Sequence, residues 1–202
     1  MATDRMDTVS ETTDIDFMRR VREKFTESEQ AWQENRDLAL DDDKHLDGSG
    51  QWPEKVRLKR EADGRPCLTI NRLPGFVDQV IGDARQNRPR IRIRPVDSNS
   101  DPEKAKLIEG HIRNIEYVSH AEHAYDTAFE HAVSHGFGYF RIVKDYTGED
   151  TFTLDLRIRR IKNSYAVYPD PSAQEADLSD SNYYFITEVI TKDEFRRRYP
   201  NA

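Results

Sequence analysis

Residues 101–146 constrain this chain more than any other stretch, because they encode two helices, a glycine break and a strand in immediate succession. Ala121, Ala124, Tyr125, Ala128, Phe129, Ala132 and Val133 recur at offsets of three and four, while Glu122, His123, Asp126, Glu130 and His131 fill the other side. That period predicts a helix with one buried stripe and one solvated face. Its small alanines let a second helix approach closely, and Leu107, Ile108, Ile112 and Ile115 upstream supply one. Gly136 can take the left-handed angle that closes a helix. A strand is predicted directly afterwards at 139–144 and pairs with an alternating run at 151–158, whose Phe152, Leu154, Leu156 and Ile158 are expected to face inward. The fold class that follows is α+β: a long N-terminal helix, then a central helix pair packed against antiparallel strands and hairpins.

Around this centre the pattern is weaker. Residues 1–13 hold no large apolar cluster and read as a disordered acidic tail. The segment 14–45 is expected to be an N-terminal amphipathic helix with Phe17, Val21, Phe25 and Trp32 on one side, its regular part fading before Asp41-Asp42-Asp43, since acids oppose the macrodipole at a C-terminus. The remainder, 51–202, reads as one α+β domain. A hairpin is predicted from 56–59 and 67–70 about the Asp63-Gly64 turn signal. Asn71 and Pro74 open a helix carrying Leu73, Phe76, Val77, Val80, Ile81 and Ala84. Residues 90–94 alternate as a strand with one charged face, and 147–150 make a turn. Further on come a short extended piece at 165–168, a strand at 182–190, and a short helix that Thr191 caps and that runs to Arg198.

The charge budget narrows the function classes. The net charge is -7, and residues 1–50 carry all of it, with 14 acidic and 7 basic residues. An acidic arm on a balanced body argues against general, charge-driven affinity for DNA. With 34% charged residues, 36% hydrophobic residues and a mean hydropathy of -0.90, the chain is polar for a globule. That balance suggests surfaces meant for neighbours. No run approaches ~20 apolar residues, so no membrane span is expected. The N-terminus lacks a signal-peptide pattern and Cys67 is the lone cysteine, which points to cytosolic synthesis.

No catalytic motif stands out. Five of the six histidines lie between His111 and His135, and His131 and His135 sit one turn apart, but Ala132 stands where a metalloprotease helix needs glutamate. A surface helix face is the preferred reading for them, and no metal or cofactor is expected. Glu122, Asp126 and Glu130 form a carboxylate stripe that also describes an ordinary wet helix face. Gly136-Phe137-Gly138 follows a helix and precedes a strand, the reverse of a phosphate loop. Cys67 reads as a small core residue. Two basic groups remain. Arg85, Arg88, Arg90, Arg92 and Arg94 fall within ten residues, and Arg157, Arg159, Arg160 and Lys162 form a smaller set. On strands, alternate arginines share a face that suits phosphates or a partner's acids. Subunit contact is preferred over nucleic acid for Arg90, Arg92, Arg94, Arg157 and Arg159, because no aromatics interleave with them.

Three stretches together resemble a known family. They are a helix from Asn71 leading through Gln86-Asn87-Arg88-Pro89 into Ile91-Arg92-Ile93-Arg94-Pro95; the alanine-rich helix ending at Gly136-Phe137-Gly138-Tyr139-Phe140-Arg141; and Asn163-Ser164-Tyr165-Ala166-Val167-Tyr168-Pro169-Asp170-Pro171-Ser172, with Lys192-Asp193-Glu194-Phe195 and Tyr199-Pro200 beyond. They cover about residues 67–201 and resemble the portal proteins of tailed bacteriophages, in the group typified by phage P22. The resemblance implies a virion protein at one capsid vertex, made in the bacterial cytoplasm and assembled as a homo-oligomeric ring, typically of twelve subunits. Double-stranded DNA passes through its channel during packaging and ejection, and the ring docks capsid, packaging motor and tail adaptor without catalysis of its own. The family's stem, clip and crown have no counterpart here, so the chain resembles the peripheral wing. Two alternatives stay open: a metal-dependent nuclease using Glu122, Asp126 and His131, and a nucleic-acid-binding module using Arg90, Arg92 and Arg94.

Overall fold

The computed structural model describes residues 4–95, 101–147, 151–175 and 177–200, with side chains from residue 14 on. Its elements are α1 (Asp4–Asp47), α2 (Glu54–Ala62), α3 (Leu73–Gln86), α4 (Pro102–Ser119), α5 (Ala121–His135), β1 (Phe140–Tyr146), β2 (Leu154–Arg160), β3 (Val167–Pro169), β4 (Tyr184–Ile186) and α6 (Lys192–Arg198). The class is α+β, as expected. The chain divides into two compact units, one comprising residues 1–37 with 165–202 and the other residues 38–164.

The larger unit is built on α4 and α5, which are joined by one residue, His120, at a left-handed φ of 49°. Asp101 caps α4 by accepting from the Glu103 amide. Ala121 and Ala124 of α5 pack with Ile158 of β2, and Ile115 and Tyr125 close the edge of that cluster. The alanines were expected to admit a second helix; here their small side chains let the sheet sit directly on the helix. Ser119 at the end of α4 accepts a 3.0 Å hydrogen bond from the Ile158 amide, so helix terminus and strand share one polar link. β1 and β2 form an antiparallel hairpin in which Ile142 opposes Ile158, Lys144 opposes Leu156 and Tyr146 opposes Leu154.

Two glycines set the exit from α5. Gly136, at φ 92°, is its left-handed C-cap, and its amide donates to the Ala132 carbonyl. Gly138 is needed for a different reason. A Cβ there would lie 1.8 Å from the Ala128 carbonyl oxygen, so backbone runs against backbone.

The smaller unit holds one side of α1 against the two-stranded sheet of β3 and β4, which pair antiparallel. The Phe25 ring packs edge-on to Tyr168 at 4.9 Å and to Phe185 at 5.5 Å. Arg36 donates to the Tyr165 carbonyl and the Tyr168 hydroxyl, and its guanidinium lies 4.3 Å over the Tyr168 ring. Asp170 is buried in the turn after β3. Its carboxylate accepts from the amide and hydroxyl of Ser172 and from the amide and side chain of Asn182. Those hydrogen bonds hold its pKa down at about 2. Thr191 caps α6 as expected.

Several local expectations are corrected. Residues 56–59 belong to α2 and not to a hairpin. Glu54, Lys55, Leu58, Lys59, Arg60 and Ala62 are strong helix formers, and Asp63-Gly64 ends the helix. The amides of Gly64 and Arg65 donate to the carbonyls of Glu61 and Arg60, a Schellman closure with Gly64 at φ 69°. One dipeptide serves a turn or a helix stop equally, because both need a left-handed residue. Residues 90–94 form no strand, since alternation makes a strand only where a partner ladder accepts it and neither hairpin edge does so.

Helix α1 runs through Asp41-Asp42-Asp43 to Asp47. Those acids lie inside the helix, and Lys44 and His45 occupy the last turn instead, with Lys44 bonded to Asp41. Helical backbone also takes in residues 4–13, where a tail was expected and where no proline or glycine interrupts; residues 1–3 lie outside those described. Phe152, Leu154 and Leu156 are exposed and not inward, because the helices cover only the base of the hairpin. Phe129 and Ala132 are likewise exposed, with His135 taking the buried position on α5. The strand expected over 182–190 shortens to β4, and most of the turn at 147–150 lies outside the described residues.

Candidate functional site

The carboxylate stripe of α5 is the first candidate, and its partner is a pair of arginines from the end of α3. Arg88 donates to Glu122 Oε2 at 2.6 Å and to Asp126 Oδ2 at 2.9 Å, while Arg85 Nε lies 3.3 Å from the same Asp126 oxygen. The guanidinium charge therefore occupies the place a nuclease would give a divalent cation. His131, the third member of that constellation, sits half-buried with Nδ1 unpartnered among the described residues. Burial, with His135 alongside, lowers its pKa. The three residues of the nuclease hypothesis thus do not converge: two bind arginine and one turns inward. Among the described residues, no group of three or more His, Cys, Asp or Glu is placed to hold a metal ion.

His135 is buried, which corrects its expected place on a surface face. Its Nδ1 is 3.2 Å from Asp43 Oδ1 and its Nε2 is 2.7 Å from Ser164 Oγ. The three stand in the order of a hydrolase triad, yet Ser164 is 1% exposed, so no substrate carbonyl can reach its hydroxyl. What the arrangement does is mechanical. It ties the C-terminal turns of α1 and α5 to the short turn after β2, satisfying polar groups that burial would otherwise leave unpaired. Spacing alone contained half of this signal, because 121, 124, 128, 131 and 135 keep the buried period. Asp43 and Ser164 were invisible, being distant in sequence.

The basic candidates separate into two kinds. Arg90, Arg92 and Arg94 are exposed and make no ion pair among the described residues. Arg157 and Arg159 lie on β2, on the face opposite Ile158, and pair with Asp155 and Asp145. The Arg159 hydrogen bond, then the Tyr146 amide, lowers the Asp145 pKa. On that face Arg157 and Arg159 are therefore already engaged by carboxylates of the same hairpin.

The hairpin's other face behaves differently along its length. Its base, at Ile158, is buried on α5, while Ile142, Tyr146, Leu154 and Leu156 stay exposed around Lys144. A second exposed apolar row, Leu73, Phe76 and Val80, runs along α3. Comparison with known proteins identifies the family. A family model described as phage P22-like portal protein matches residues 22–202.

The chain belongs to the phage P22-like portal family. A portal protein of Acyrthosiphon pisum secondary endosymbiont phage 1 is 24% identical over 159 residues, which are 74% of this chain and 22% of that relative's length. This P22-like portal chain therefore spans less than a quarter of that relative. The family match takes in both compact units, including the α5–Gly138 junction and the Asp170 turn. No helix among the described residues is long and apolar enough to cross a membrane.

Proposed function

We propose that this chain is a structural portion of a ring-shaped phage portal at a capsid vertex, serving as the conduit through which double-stranded DNA is packaged and ejected. In this reading it has no catalytic activity of its own. The ring, of about twelve subunits as the family resemblance implies, docks the capsid, the packaging motor and the tail adaptor, and it is made in the host cytoplasm before entering the virion. The observation that carries the reading is the family match across residues 22–202. The occupation of Glu122 and Asp126 by Arg85 and Arg88 supports it, because a carboxylate pair already neutralised by guanidinium has little reason to recruit a cation.

Particle images of the full-length product test the proposal directly: a ring with a central hole is expected, and discrete monomers would overturn it. Incubation with plasmid DNA and Mg²⁺ or Mn²⁺ tests the enzyme alternative, and no nicking is expected. Nicking abolished by Asp126→Ala would reverse the reading. Arg90, Arg92 and Arg94 are proposed as subunit or DNA contacts, which supports a measurement of affinity against salt. A steep fall of DNA affinity with salt, reduced in the triple alanine variant, would assign them to phosphates.

A further inference from the structure

We infer that the exposed face of the β1–β2 hairpin in one copy docks on the outer row of α3 in a second copy, head to tail. The inference deepens the ring reading and rests on it for the choice of a second copy as occupant. Its material is in the larger unit alone. The hairpin face presents Ile142 at 62%, Tyr146 at 59%, Leu154 at 54% and Leu156 at 42% exposure. Cross-strand pairing places Lys144 opposite Leu156, between the Ile142–Ile158 and Tyr146–Leu154 pairs. Lys144 has no ion-pair partner among the described residues. The α3 row presents Leu73, Phe76 at 65% and Val80 at 47% exposure, and Asp83 falls on the same side, within an arc of about 80° at ~100° per residue. The Asp83 carboxylate is likewise without an ion-pair partner among the described residues.

One face is thus apolar with a single ammonium, and the other is apolar with a single carboxylate. Each complements the other and neither complements itself, since two hairpin faces would oppose two ammonium groups and two α3 rows would oppose two carboxylates. Like charges brought together in a desolvating contact are strongly unfavourable. A contact between unlike faces of identical chains is heterologous, the kind that propagates around an axis.

The test is sedimentation of the 202-residue chain over a concentration series, with circular dichroism confirming that each variant is folded. Lys144→Glu and Asp83→Lys are each expected to weaken self-association by roughly tenfold or more. The double variant, which restores opposite charges across the contact, should recover most of the loss. In chains carrying Cys67→Ser, a mixture of Phe76→Cys and Leu156→Cys should cross-link through a short bis-maleimide, while neither alone should. A wild-type chain that stays monomeric to about 1 mM would overturn the inference; it would leave the faces to another partner and leave the ring reading to the particle images. Association unchanged by either single charge variant, or not restored by the double, would place the copy contact on other surfaces and overturn the inference while sparing the ring.

Discussion

The two sheets of this protein share one plan and are held by different chemistry. In the larger unit, seven-residue strands form a hairpin whose base rests on Ala121 and Ala124, an apolar contact between elements close in sequence. In the smaller unit, three-residue strands are too short to hold themselves. They depend on Phe25 and Arg36 from α1, more than a hundred residues away, and on the Asp170 carboxylate that gathers Ser172 and Asn182. The lesson is that a local sheet can rely on shape, whereas a sheet assembled from distant pieces relies on directed polar and aromatic contacts.

That contrast can be broken at named positions. Gly138→Ala should have the largest effect, about 4 kcal/mol from the larger unit, because its methyl meets a main-chain oxygen that cannot rotate away. A denaturant midpoint close to wild type would show that the backbone contact is looser than the geometry states. Ile158→Ala should cost about 3 kcal/mol by opening a cavity on the alanines, while Leu156→Ala, on the exposed part of the same face, should cost under about 0.5 kcal/mol in the monomer. Equal losses would erase the distinction between buried base and free end. Gly136→Val should cost about 2 kcal/mol, since a β-branched residue resists the left-handed cap.

Asp170→Asn tests the polar side of the comparison. The folded carboxylate titrates near 2, below its ordinary 3.8, so its contribution is fully present above about pH 4 and is lost as pH falls toward 2. The variant should therefore unfold at a lower temperature than wild type at pH 7, with the gap narrowing through that acidic window. A gap independent of pH would place the effect in shape and not in charge. Arg88→Ala should cost less than the core and glycine variants, about 1 kcal/mol, shrinking in high salt because the pairs are partly exposed.

Legibility in the sequence followed the same division. The α4–α5 pair, the β1–β2 hairpin and the Thr191 cap could be read because period and capping are local. The Asp63-Gly64 signal misled, since helix stops and hairpin turns both require a left-handed residue, and helix-forming Glu54, Lys55 and Leu58 decide between them. Ile91 and Ile93 suggested a strand, but a strand is a property of two chains of backbone and only one was in view. Of the candidate site, Glu122 and Asp126 were found and their arginine partners were not, although Arg85 and Arg88 had been singled out for another purpose. His135 was misplaced outward because Asp43 and Ser164, which make its burial tolerable, carry no mark of it in their own neighbourhoods. The family resemblance reached further than spacing did, and the match over residues 22–202 is what gave it force.

The contact of Gly138 with the Ala128 carbonyl also fixes phase. Side chains alternate sides with every step along β1, so the count of residues between the end of α5 and Phe140 decides which side of the hairpin meets the helices. One residue added between Gly136 and Phe140 would turn the ribbon over. The arginine–aspartate ladder would then be pressed onto alanines and Ile158 delivered to water, so a three-residue connector acts as the indexing tooth for everything downstream of it.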